Sequence, residues 1–162
     1  MLHRQRSTRR NQRRRRGAVT VEFALVAPIF LTLMLGVSQV SRIFDVQNQL
    51  AVAVREGARL AAMDRAGMLA DGQTTNQKIT QDVRNFLTAN GLPGESVDIY
   101  IVDPNDHVST FQLDEPANDL KLFELRVELP YSAVSSLAGA ASNGAILTAK
   151  VVFRNARAAI VQ

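Results

Sequence analysis

Residues 23–41, FALVAPIFLTLMLGVSQVS, form a run of 19 residues without a formal charge, and the pattern of the chain changes on both sides of it. At about 1.5 Å per helical residue such a run spans roughly 28 Å, the thickness of a bilayer's hydrocarbon core. Ten of its side chains are Phe, Leu, Ile or Val, which favours insertion by roughly 3–6 kcal/mol. Beyond it no proline intervenes as far as Arg65, and Ile43, Val46, Leu50, Val54, Ala58 and Ala61 recur three or four apart. That period predicts one helix over about 18–65, membrane-spanning in its first half and amphipathic in its second. The small residues Gly57-Ala58 and Ala61-Ala62 leave room for another element to approach closely.

After the loop at residues 71–76, Thr74 with Gln77 resembles a capping box that opens a second helix. Ile79, Val83, Phe86 and Leu87 share its apolar face, and Asn90-Gly91 with Pro93 stops it. The period then falls to two. Val97, Ile99 and Ile101 alternate, residues 107–113 follow the Pro104-Asn105-Asp106 turn, and Phe123, Leu125, Val127 and Leu129 alternate with Glu124, Arg126 and Glu128. Residues 146–153 are β-branched and apolar. Four short antiparallel strands are expected, with one apolar face that the helices must cover. The expected fold class is therefore α+β, a long N-terminal helix packed on a small antiparallel sheet. The small-residue stretch 132–144 reads as a long exposed loop.

Charge divides the chain differently. Its 162 residues hold 19 Lys and Arg against 15 Asp and Glu, yet eight arginines (Arg4, Arg6, Arg9, Arg10, Arg13, Arg14, Arg15, Arg16) stand before residue 17 with no acid among them. Without that arm the remainder has 11 basic and 15 acidic side chains, a formal charge of −4. The basic arm abuts the apolar run, which orients the N-terminus to the cytoplasm and the body to the other side. The chain is expected to comprise a cytoplasmic leader at 1–17, a transmembrane helix at 18–41 and an extracytoplasmic domain at 42–162. A cleaved secretory signal does not fit: the apolar run is too long, and the nearest small-x-small site, Ala51-Val52-Ala53, lies too deep in polar sequence. Ser7-Thr8-Arg9-Arg10 lacks the apolar residues that follow a twin-arginine signal.

Glu22 interrupts the apolar pattern just behind Ala18-Val19-Thr20-Val21. A carboxylate carried into hydrocarbon costs several kcal/mol unless paired. Cutting the bond between Gly17 and Ala18 would supply the partner, a new α-amine with Glu22 as the fifth residue of the product. At about 4 Å and an effective dielectric of 20 the two charges attract by roughly 4 kcal/mol.

The segment Arg16-Gly17-Ala18-Val19-Thr20-Val21-Glu22-Phe23, with its basic leader and following apolar helix, resembles the prepilin peptidase site of type IV pilin-like proteins. Phe23 directly after the glutamate, the early Pro28 and the stretch Ala53-Val54-Arg55-Glu56-Gly57-Ala58-Arg59-Leu60-Ala61 are similar to the TadE-like proteins of tight-adherence pilus systems. The resemblance covers about residues 13–62. It implies a pilin-like shape and a minor pilin or pseudopilin of a tight-adherence pilus assembly or secretion system. By it Gly17 and Ala18 flank the processing site of a prepilin peptidase, and Glu22 with Phe23 serves assembly. Ala18 as first mature residue, where major pilins often begin with Phe or Met, points to a minor component. The implied partners are the prepilin peptidase, other pilin or pseudopilin subunits, the assembly platform and membrane lipid. The implied location is the cytoplasmic (inner) membrane, single-pass, with association to the pilus after processing.

No enzymatic chemistry is indicated. The chain has no cysteine, which removes disulfides, thiolate metal sites and cysteine nucleophiles. His3 and His107 stand apart, without a second ligand at metal spacing. The acidic residues Asp98, Asp103, Asp106, Asp114, Glu115 and Asp119 do not have EF-hand spacing. Ser135 and Ser136 lack a nucleophile elbow, and no Gly-rich phosphate cradle occurs. The arginine arm lacks interleaved aromatics and its place beside the membrane run makes it a topology signal, so no nucleic acid is expected and no cofactor either. The competing expectation is an unprocessed single-pass protein whose extracytoplasmic domain binds a ligand or partner.

Overall fold

The computed structural model describes residues 8–63, 69–135 and 144–156, the side chains of 8–16 and 18 excepted. Two helices and three strands follow one another: α1 (Thr8–Ala62), α2 (Thr75–Ala89), β1 (Asp98–Val102), β2 (Leu122–Pro130) and β3 (Ile146–Arg154). The chain divides into two compact units, residues 1–42 and 43–162.

In the first unit α1 starts at Thr8, ahead of the position near 18 that hydrophobic periodicity predicts. Arginine and glutamine are good helix formers, and the leader contains no proline to stop the backbone. The predicted end near residue 65 lies outside the described residues. Pro28 sits within the helix, where it removes one N–H from the ladder. Four residues on, the Thr32 hydroxyl donates to the Pro28 carbonyl at 2.8 Å. From Val19 to Val37 the large apolar side chains are all exposed, Phe23 by 71%, so this stretch is long and apolar enough to cross a membrane.

The second unit holds the core. Val46, Leu50, Val54, Ala58 and Ala61 of α1 are buried, the stripe that the three-to-four spacing predicts. From α2 come Ile79, Val83 and Leu87, and from β2 Phe123, Leu125, Val127 and Leu129. The capping box of α2 forms as expected: Thr74 accepts from the Gln77 amide, and the Gln77 side chain accepts from the Thr74 amide. Gly91, at φ 81°, takes the left-handed conformation that ends the helix.

The sheet is antiparallel in the order β1, β2, β3, with Ile101 opposite Leu125 and Leu125 opposite Val151. The α+β arrangement is the expected one, but among the described residues it has three strands and not four. Residues 107–113 make only the bridge between Val102 and Thr110. Asn76 of α2 explains the shortfall: its Nδ2 donates to the Phe111 carbonyl at 2.7 Å and its Oδ1 accepts from the Leu113 amide at 3.0 Å. An amide side chain thus occupies the groups that a strand ladder would use. Farther on, buried Asn155 donates to the carbonyls of Leu113 and Asn118, anchoring the loop that leads into β2.

Candidate functional site

Gly17, Glu22 and Phe23 lie on one helical segment, all exposed. A Cβ built on Gly17 meets nothing within 4 Å, so no packing in the fold requires glycine there. The backbone of Ala18 is helical, while its side chain falls outside the described residues. Gly17 is therefore an interior helical residue, and glycine there costs the helix about 1 kcal/mol relative to alanine. Arg9 with Arg13 and Arg10 with Arg14 stand four apart on the same helix, and such like-charge pairs weaken a helix by about 0.2–0.5 kcal/mol each. Both features weaken the helix around Gly17. No hydrogen bond or ion pair of Glu22 occurs among the described residues.

A second polar constellation, in the body, escaped the sequence reading. Glu124 on β2 is 1% exposed. His107 Nδ1 lies 2.9 Å from its Oε2, Lys150 Nζ 3.7 Å from the same oxygen, and Arg126 3.7 Å from Oε1. Arg126 also pairs with Glu128 at 3.2 Å and lies over the Tyr100 ring, 5.1 Å from its centroid. These residues share the sheet face turned away from the helices, because Tyr100 is opposite Arg126 and Arg126 is opposite Lys150. Alternation along β2 places Glu124 off the core face and says nothing of its burial. Only the strand register and the fold of residues 103–110 bring His107, at φ 58°, over it. No signal within β2 itself could have found this.

The acidic loop residues are committed to local bonds. Asp103 accepts from the backbone and side chain of Asn105, and Asp106 from the amides of Val108 and Ser109 and from the Ser109 hydroxyl. The Ser109 hydroxyl, with the two amides, holds the Asp106 carboxyl below the usual aspartate range. Asp114 accepts from the Thr75 amide at 2.7 Å and from its hydroxyl. On α1, Arg59 donates to Glu56 at 2.6 Å, and that bond lowers the Glu56 carboxyl. Among the described residues no group of acidic or histidine side chains is placed to hold a metal ion.

Residues 17–59 match the family model described as TadE-like protein, the family that the sequence resembles. No curated protein and no solved structure matches the chain. The match opens on Gly17 and closes on Arg59, so it spans the apolar run and most of the buried stripe of α1 and leaves the sheet outside.

Proposed function

We propose that this chain is a minor pilin or pseudopilin-like component of a tight-adherence pilus assembly or secretion system, inserted in the cytoplasmic membrane and cut after Gly17 by a prepilin peptidase. The carrying observation is the family match, which begins at that glycine and runs through the apolar helix. In this reading the arginine leader holds the N-terminus in the cytoplasm and the body lies on the far side. Removing the leader frees the Ala18 amine, one helical turn from Glu22 on the same face. It also brings Glu22 close to a helix N-terminus, where a carboxylate is favoured by about 0.3–1 kcal/mol. With the acid neutralised, the exposed apolar side chains of α1 can exchange lipid for the helices of sister subunits, and Phe23 lies beside the pairing point.

The N-terminal residue of the native protein, purified from membranes of a host with the peptidase, tests this directly. Ala18 at the start of a 145-residue chain is the expected result. An intact leader would overturn the proposal and favour an anchored partner-binding domain.

A further inference from the structure

β1 is an edge strand, and one stretch of that edge is left unpaired. The Ile101 carbonyl accepts from the Phe111 amide at 2.9 Å, and the Asp103 amide donates to Ser109. Odd-numbered residues of β1 therefore turn their backbone groups away from β2, while Tyr100 and Val102 bond inward. Chain 109–111 covers the far end of the edge and then leaves, because Asn76 captures the Phe111 carbonyl and the Leu113 amide. The amide and carbonyl of Ile99 and the amide of Ile101 have no backbone partner among the described residues.

These groups face a groove of about 610 Å³ between β1 and α2, whose helical wall includes Thr80, Gln81 and Arg84. Arg84 is incompletely used: its guanidinium reaches the Val97 carbonyl at 3.5 Å, and its buried Nε donates to nothing among the described residues. The lining contains one carboxylate, Glu95. An open ladder beside an underused guanidinium matches one kind of occupant, an extended polypeptide bearing an acidic side chain. A helix could not use the ladder groups, since its own backbone groups are already paired.

We infer that the groove between β1 and α2 receives an extended segment of a partner polypeptide, which adds to the sheet beside Ile99 and Ile101 and sets a carboxylate on Arg84. The pairing would complete the sheet's exposed edge and stabilise it against promiscuous association. It requires neither processing at Gly17 nor pilus assembly, so its failure and theirs are separable.

The test uses the full chain in detergent micelles and a fluorescein-labelled, end-capped peptide of sequence Thr-Val-Glu-Val-Thr. Without peptide, the Ile99 and Ile101 amides should exchange with deuterium at least about 100-fold faster than those of Tyr100 and Val102. Peptide at up to about 1 mM should bind and slow the first pair about tenfold or more. Arg84→Gln should weaken that peptide about tenfold while leaving its Gln-for-Glu counterpart unchanged. Ile99→Pro, which removes an outward N–H and no bond to β2, should abolish binding of both. The inference is overturned by absence of binding, by binding that leaves Ile99 and Ile101 exchange unaltered, or by equal loss of both peptides in Arg84→Gln. Since Ile99→Pro is open to misfolding, the exchange pattern and Arg84→Gln decide where that variant loses its native circular dichroism.

Discussion

A Cβ added to Gly57 would lie 2.5 Å from Cγ2 of Val83 and 3.0 Å from Cδ2 of Leu125, so α1 meets α2 and β2 where no side chain fits. Val83 is β-branched and stiff at χ1, and it cannot swing aside. Gly57→Ala gains about 1 kcal/mol of helix propensity, but the overpacking costs about 1–3 kcal/mol. A net loss of stability is expected, seen as a lower urea midpoint with an unchanged slope. A raised midpoint would mean that the helices separate freely at this point.

Glu124→Gln should destabilise the body by about 1–3 kcal/mol, because the neutral amide leaves His107, Arg126 and Lys150 facing a site that no longer attracts them. The partners keep contact with water, His107 at 48% and Lys150 at 57% exposure, which places the loss below that for a fully buried pair. Urea unfolding of the full chain in micelles measures it. A variant as stable as the parent would show that the cluster contributes nothing to folding.

The turn at residues 105–109 should loosen in acid. Asp106 releases its proton more readily in the fold than in the free chain, whose ordinary value is 3.8. Its contribution is therefore fully present above that pH and declines as pH falls through the lower folded value. The amides of Val108 and Ser109, both 3.0 Å from Asp106 Oδ1, are the reporters: their protection should fall below about pH 3.8, and in Asp106→Asn that fall should be absent.

Gly17→Leu should abolish processing while leaving the fold intact. The space around Gly17 is open, so a leucine there crowds a bound peptidase and not this chain. Full-length product is expected on a mass spectrum of the membrane fraction, and the purified variant should keep the native circular dichroism. Mature-sized product would remove Gly17 from the proposed cleavage site.

If the proposed cut occurs, Glu22→Gln should insert normally and assemble poorly, because the amide cannot neutralise the α-amine that the cut would free on Ala18. Shed pilus material, quantified against the membrane pool, measures the effect. An undiminished yield would show that the carboxylate has no part in assembly.

Most of the helical architecture was legible along the chain. The charge-free run, the stripe from Val46 to Ala61 and the box of Thr74 and Gln77 are local patterns with a direct physical meaning. The TadE-like likeness lies wholly within that readable part, since residues 17–59 belong to one helix. The strands were legible as alternation, but 107–113 makes only a bridge to β1 because the side chain of Asn76, 35 residues away, takes the Phe111 carbonyl.

The sequence by itself determined where an apolar helix lies, which end of it is basic, and that a lone acid, Glu22, stands at the edge of the apolar run, because charge and hydrophobic period are properties of neighbours. Only the tertiary structure decided that Glu124 is buried, that Gly57 is a contact point and that the edge of β1 stays open. Those outcomes depend on register and on side chains brought together from distant segments, which no period along one segment encodes.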